Sequence, residues 1–355
     1  MSVVPGVTSR YSAAAKEPQA DLCCPIDYDQ RLLKLLPQEI IDKDYGCGDP
    51  SSYVREGDVV LDLGSGGGKI CYMAAQIVGR QGKVIGIDMN DDMLELARKY
   101  QVEMAQKLGD DRVRFVKGYI QDLTLDLDAT DSNQTRPKAV SPLIADASVD
   151  LVISNCVLNL VGESERTQMI REIARVLKPG GRVAISDIVS DEAVPQELKQ
   201  DGDLWSGCIS GAFQEQEFLQ AFVDAGFLAV GFDKWDAKPW RVIHGIEFRS
   251  VTLTAVKGLG SLCLDCGHAV IYRGPFSSVT DDEGHIFPRG ERMAVCERTY
   301  QFLMQGPLKN DFIGITPSVL RDPPLPWCAP AGARRTPAET KAGSYATGCN
   351  GGGCC

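Results

Sequence analysis

The chain reads as an α/β protein built on a parallel sheet with helices on both faces, and three observations carry that reading. The β-branched apolar run Val59-Val60-Leu61-Asp62-Leu63 breaks into Gly64-Ser65-Gly66-Gly67-Gly68 and then opens an apolar-periodic segment, which is the pattern of strand, tight turn and helix. A second strand, Lys83 to Ile87, ends at Asp88. Strand and helix patterns then keep alternating to about residue 190, and βαβ order places ligands at the C-terminal ends of the strands.

Taken in order, the first 20 or so residues are polar, and their order depends on contact with the core. Residues 21–58 read as a loop and a helix, Gln30 to Ile41, that Pro37 interrupts. The alternation follows: strand from Val59, helix Ile70 to Val78, strand Val84 to Asp88, helix Asp91 to Leu108, strand Val113 to Lys117. Residues 124–146 are polar and irregular and read as a surface excursion. The pattern resumes with a strand from Val149 to Ser154, a helix from Ser164 to Leu177 and a strand from Arg182 to Asp187. A Gly/Ser-rich stretch near Trp205 to Ala212 precedes a helix from Glu215 to Ala225. Beyond Trp240, short apolar runs broken by Gly and Pro, such as Ala269 to Phe276, read as a small α+β appendage. The expected division is an N-terminal arm with thiols over 1–58, the main domain over 59–255, the appendage over 256–321 and a tail over 322–355. The Pro, Ala and Gly content of that tail, which ends Cys349-Asn350-Gly351-Gly352-Gly353-Cys354-Cys355, reads as disorder.

Bulk properties narrow the function. At 355 residues and 44% apolar composition the chain can bury one large core and a smaller one, and no apolar run approaches the roughly 20 residues of a membrane span. A net charge of −11 without a Lys/Arg cluster argues against nucleic acid as a partner. The start, Met1-Ser2-Val3-Val4-Pro5-Gly6, lacks a basic region followed by an apolar core, so a cytoplasmic location is the expectation. In that reducing compartment the 13 cysteines are expected to be thiols rather than a disulfide scaffold.

The glycine loop excludes two common nucleotide sites. A Walker loop needs Gly-Lys-Ser/Thr, but Lys69 is followed by Ile70 and Leu63 sits where its first glycine belongs. A dinucleotide fingerprint counted from Gly64 needs glycine at position 69, where Lys69 stands. Asp88 lies near the spacing at which a carboxylate accepts the ribose hydroxyls of a nucleoside. The pattern Asp62-x-Gly64-x-Gly66-x-Gly68 with Asp88 downstream resembles the Rossmann-like class I S-adenosyl-L-methionine-dependent methyltransferases. Ser148 to Asn155 looks like their fourth strand, and Arg175-Val176-Leu177-Lys178-Pro179-Gly180-Gly181 like the turn before their fifth; the likeness spans about residues 45–190. It implies that Asp62, Gly64, Gly66 and Gly68 hold the methionine portion of the cofactor and Asp88 its ribose. In Lys117-Gly118-Tyr119-Ile120-Gln121-Asp122 it implies that Ile120 packs on adenine and Asp122 accepts from the adenine amino group, with Met89 and Asn155 completing the cofactor set.

The cysteines narrow the acceptor. Cys47 lies in a glycine-flanked turn before the first strand, Cys156 past the tip of the fourth, and Cys208 in the insertion after the fifth, all able to face a sulfonium. Tyr45-Gly46-Cys47-Gly48, Ile153-Ser154-Asn155-Cys156-Val157-Leu158-Asn159-Leu160 and Gly207-Cys208-Ile209-Ser210-Gly211-Ala212 resemble the three cysteine motifs of the arsenite methyltransferases, over about residues 20–255. The resemblance implies that Cys156 and Cys208 bind trivalent arsenic, that Cys47 supplies a third sulfur, and that Cys23 or Cys24 joins the redox cycle. Soft arsenic prefers thiolate sulfur, and its lone pair needs no general base. The methyl acceptor is then arsenite or its glutathione conjugate, with thioredoxin or glutathione as reductant. Two other readings stay open: a methyltransferase for carbon or nitrogen of a small metabolite, in which the thiols are dispensable, and a metalloid-sequestering protein on an idle fold. Cys263-Leu264-Asp265-Cys266 followed by His268, His285 and Cys296 could nucleate a zinc site, although no second Cys-x-x-Cys completes it.

Overall fold

The computed structural model describes residues 6–19, 26–130 and 141–341. Cys23, Cys24, Cys349, Cys354 and Cys355 lie outside the described residues. The chain forms two compact units, Met1–Gly258 and Leu259–Cys355.

The first unit is a nine-stranded sheet. Its strands are β1 (Val59–Leu63), β2 (Lys83–Asp88), β3 (Val113–Lys117), β4 (Val149–Asn155), β5 (Leu177–Ser190), β6 (Phe213–Gln214), β7 (Phe227–Trp235), β8 (Arg241–Ile243) and β9 (Ile246–Lys257). The main path runs β3-β2-β1-β4-β5-β9-β7. Neighbours from β3 to β5 pair in parallel, whereas β9 runs antiparallel to both β5 and β7. This is the class I S-adenosyl-L-methionine-dependent methyltransferase fold. The helices are α1 (Val7–Lys16), α2 (Gln30–Leu33), α3 (Gln38–Asp42), α4 (Lys69–Val78), α5 (Asp91–Lys99), α6 (Gln101–Leu108), α7 (Leu127–Thr130), α8 (Glu163–Val176), α9 (Gln196–Lys199), α10 (Gly202–Ser206) and α11 (Glu215–Asp224).

Alternation explains the layering. Leu61, Leu63, Val152, Val183 and Ile185 join Met169, Ile173, Phe218 and Phe222 of α8 and α11 in one buried cluster. Their sequence neighbours Val60, Leu151, Ile153 and Ala184 join Tyr72, Met73, Leu94 and Met104 of α4 to α6 in another. A strand whose successive side chains enter two cores must be covered on both faces, which is why these strands read as near-continuous apolar runs. Two expected helices are shorter than their patterns. Pro37, which lacks an amide donor, separates α2 from α3, and the helix expected over Asp91 to Leu108 breaks at Tyr100 between α5 and α6. The N-terminal arm is part of the first unit, and α1 packs on α5 and α10.

The second unit contains β10 (Leu264–Asp265), β11 (Ala269–Tyr272), β12 (Ser278–Thr280), β13 (Ile286–Pro288), β14 (Arg292–Ala294), β15 (Phe312–Ile315) and β16 (Leu325–Pro326), with α12 (Glu297–Gln305) and α13 (Pro337–Lys341). A sheet β14-β11-β15 and the β12-β13 hairpin enclose Val270, Tyr272, Phe287, Met293, Leu303 and Phe312. The expectation of disorder from residue 322 is corrected over the described part of the tail. Leu325–Pro326 pairs with β10, Cys328 is bonded to Cys263, and Arg335 forms a buried ion pair with Asp265 at 2.7 Å. A covalent tie and a buried ion pair order a segment whose composition alone could not bury enough apolar surface.

Candidate active site

The C-terminal ends of β1, β2 and β4 open into a cleft of roughly 1080 Å³, counting space open to solvent. Asp62, Gly64, Gly66, Asp88, Met89, Ile120 and Asn155 line it, together with Ser65 and Cys156.

The glycine loop is held by the strand beside it. Gly64 N and Ser65 N both donate to Ile87 O, at 2.8 and 2.9 Å. One Asp88 oxygen accepts from Gly66 N at 2.9 Å and the other from Asn90 N at 2.8 Å. The Asp88 carboxylate therefore ties the loop after β1 to the turn after β2, and burial shifts its pKa upward. Gly68 does not line the cleft. It starts α4 with φ 85°, and a Cβ there would lie 2.7 Å from Phe115 Cζ, so its contribution is the turn itself. Asp62 is buried at the mouth of the loop and accepts from the Cys71 thiol at 3.2 Å. Burial is the main cause that pushes its pKa up to about 7, with nearby Asp44 and Asp88 adding to it.

Asp122 departs from expectation. It is not among the residues lining the cleft; its carboxylate accepts from Thr124 N at 3.1 Å, and its backbone closes a turn with Tyr119. Ile120 and Gln121 line the cleft in that loop instead. A short polar side chain with a neighbouring hydroxyl makes a local turn in preference to a distant contact.

The three cysteines come together. Cys47, Cys156 and Cys208 pack in one buried cluster with Ile188, Ile209 and Phe248. Cys47 and Cys156 form a disulfide, Cα to Cα 5.8 Å, and Cys208 Sγ donates to Cys156 O at 3.1 Å. With the Cys263–Cys328 bond, this corrects the expectation that all cysteines stand as thiols: in each pair the fold brings the Cα atoms to bonding distance. Asn155 builds the Cys47 turn. Its Oδ1 accepts from Cys47 N at 2.9 Å and Gly48 N at 3.1 Å, and its Nδ2 donates to Gly48 O at 2.8 Å. A Cβ at position 46 would overlap this amide, which is why glycine precedes Cys47.

Two groups near the thiols were not expected from sequence. Asp187, in the C-terminal half of β5, is buried and accepts from Leu158 N, Asn159 N, Asn159 Nδ2 and Ile188 N, which fixes the loop that follows Cys156. Burial pushes its pKa up to about 7, and its carboxylate lies within 4.8 Å of the Cys47 and Cys156 sulfurs. Tyr11 of α1 lines the cleft, and burial together with the neighbouring Cys208 thiol holds its phenol protonated well above the usual range. The spacing of Val7, Tyr11, Ala14 and Ala15, one apolar helical face, was the available signal for α1.

A methyltransferase-domain family profile matches residues 55–226, and a domain of unknown function matches residues 260–345. The arsenite methyltransferase of Aquipseudomonas alcaligenes is 33% identical over 284 residues, 77% of this chain and 77% of that one. The chain belongs to the arsenite methyltransferase family. The human member is 31% identical, covering 79% of this chain and 73% of its own. A solved arsenic(III) S-adenosylmethionine methyltransferase from Chlamydomonas reinhardtii aligns at a TM-score of 0.56 and 27% identity, over 86% of this chain and 99% of that one. The family resemblance read from the cysteine motifs is thereby met, and this arsenite methyltransferase family member is an S-adenosyl-L-methionine-dependent enzyme.

The cleft suits that cofactor. Ser65 Oγ at the glycine loop is buried without a hydrogen-bond partner among the described residues, a polar atom that a bound ligand would satisfy. Asp62 offers a buried carboxylate for an ammonium group, Asp88 a carboxylate for hydroxyls, and Ile120 with Met89 apolar surface for a base. Among the described residues, no helix is long and apolar enough to cross a membrane.

Proposed function

We propose that the chain methylates trivalent arsenic held by its own cysteine thiolates. The observation that carries this reading is the convergence of Cys47, Cys156 and Cys208 in one buried cluster, of which Cys156 also lines the cleft that suits the cofactor. The cofactor supplies an electrophilic methyl group on a sulfonium. Cys156 and Cys208 would bind the metalloid, Cys47 would complete a pyramid of three sulfurs, and the arsenic lone pair would face the methyl group. Asp62 orients the ammonium group, Asp88 the ribose, and Ile120 and Met89 cover the adenine. Catalysis is then chiefly proximity and orientation.

Methylation leaves arsenic two electrons short of the trivalent state. Two thiolates supply them by forming a disulfide, and the Cys47–Cys156 bond is the oxidised product of such a step. Thioredoxin or glutathione returns the pair to thiols, a chemistry that fits a reducing, cytoplasmic setting. Arsenite, free or as its glutathione conjugate, is the substrate.

Chromatographic arsenic speciation after incubation with arsenite, S-adenosyl-L-methionine and a thiol reductant tests the reading. Methylated arsenic is expected from the parent and none from Cys156→Ser or Cys208→Ser. Equal product from the variants would refute thiolate ligation, and no methylarsenical from a folded, cofactor-binding parent would move the acceptor to a small metabolite.

A further inference from the structure

The second unit gathers a set of donors that methyl transfer does not use. Cys266, His268 and Glu297 each offer a ligand atom, and the three atoms lie within 4.8 Å of one another. Cys263 is committed to Cys328, which leaves Cys266 as the free thiol of the Cys-x-x-Cys pair. Asp265 Oδ1 accepts from Gly267 N at 2.8 Å and tightens the turn between Cys266 and His268. Asp265 is itself anchored by Arg335 at 2.7 Å.

His268 is only 4% exposed, and its ring stacks on Tyr300 with centroids 4.2 Å apart. Its Nδ1 stands 2.9 Å from Glu297 Oε2, yet among the described residues neither atom completes a hydrogen bond, and both are buried. The other Glu297 oxygen accepts from Gln301 at 2.7 Å, which turns Oε2 toward the imidazole. A buried imidazole nitrogen and a buried carboxylate oxygen that face each other beside a thiol without completing a hydrogen bond are a poor arrangement for protein alone and a good one around a cation.

We propose that Cys266, His268 and Glu297 form a zinc(II) site that pins the turn before β11 to the first residue of α12. Nitrogen and oxygen ligands about 2.0–2.1 Å from a tetrahedral zinc stand roughly 3.3 Å apart, with a thiolate sulfur roughly 3.6 Å from each. The spread of these three atoms needs only side-chain adjustment to reach that geometry. Thiolate, carboxylate and neutral imidazole balance a divalent charge, and a mixed sulfur, nitrogen and oxygen set suits zinc over magnesium or calcium. Trivalent arsenic would want further sulfurs, but Cys296 Sγ caps α12 through Thr299 N and Thr299 Oγ1. Water takes the fourth position beside the partly exposed Cys266.

The test is metal analysis of the full-length protein after zinc loading and dialysis, followed by titration with cobalt(II) as a spectroscopic probe. One zinc per chain is expected in the parent and in Cys156→Ser, and that second protein separates this site from the thiols of the first unit. Cobalt should give the intense visible bands of tetrahedral coordination with a thiolate charge-transfer band. Cys266→Ser should lose that band, and His268→Gln and Glu297→Gln should bind at least about tenfold more weakly. Glu297→Gln keeps the size of the side chain and a carbonyl for Gln301, so it remains a test if either other variant misfolds. No retained zinc in the parent, or equal zinc affinity in Cys266→Ser and Glu297→Gln, would overturn the site.

Discussion

Replacing Asn155 with alanine should uncouple the Cys47 turn from the tip of β4. The side chain accepts from Cys47 N and Gly48 N at 2.9 and 3.1 Å, and donates to Gly48 O at 2.8 Å and to the Tyr28 hydroxyl at 3.3 Å. Truncation removes all four bonds and leaves two amide donors and a carbonyl without their partner. At a net worth of about 1 kcal/mol for each backbone bond the loss is about 3 kcal/mol, and each group that stays dry adds to it. The cleft can admit water to part of this turn, so the lower figure is the expected one. Urea unfolding followed by tryptophan fluorescence should show the midpoint fall at unchanged slope. The thiol pair should re-form its disulfide more slowly, because Cys47 is no longer held opposite Cys156. Asn155→Asp, which keeps an acceptor for both amides, should lose less. A stability change under about 0.5 kcal/mol in Asn155→Ala, with unchanged disulfide formation, would refute the argument that this amide positions Cys47.

Asp62 must be ionised to hold an ammonium group, and with its pKa pushed up to about 7 the ionised fraction rises roughly tenfold between pH 6 and pH 8. Cofactor Kd by isothermal titration should fall by about that factor over this range; a flat profile would remove Asp62 from the role. The same upward shift makes the folded, cofactor-free protein bind more protons than the unfolded chain between about pH 4 and 7, so the stability contributed by Asp62 and Asp187 declines as pH rises through that window. Asp62→Asn should flatten the decline of Tm with pH. Asp88→Ala frees Gly66 N and Asn90 N from one clamp and should abolish cofactor binding, with unchanged affinity as the refuting result. Gly68→Ala places a methyl 2.7 Å from Phe115 at φ 85° and should cost about 2–4 kcal/mol in denaturant unfolding.

How much of this could be read from sequence follows the range of the forces involved. The loop after β1 and the acid at the tip of β2 are legible because each acts through neighbouring residues, and near-continuous apolar runs announce strands covered on both sides. The cysteine contexts are legible as motifs, but their convergence is not, because it depends on Asn155 reaching across more than 100 positions to Cys47. Asp122 looks like a ligand in its motif and is drawn into a local turn by Thr124. Asp187 and Tyr11 carry no motif, and only burial beside the sulfurs singles them out. The tail misleads because composition reports apolar content, whereas a disulfide and an ion pair with distant partners supply its order.

Both Cys156 and Cys208 hold left-handed backbone, at φ 60° and φ 62°. A residue with a Cβ pays about 1–2 kcal/mol to stay there, and glycine would not. The usual coupling between damage to stability and damage to activity is therefore loosened at these two positions. Random mutagenesis scored by abundance would rank Cys208→Gly, where backbone relief offsets the lost burial of a small side chain, among the tolerated changes, while a screen for arsenite tolerance would rank it among the most harmful; Cys156→Gly also gives up the bond to Cys47 and loses stability with it. The distance between the two rankings would measure how far the fold has been compromised to present sulfur.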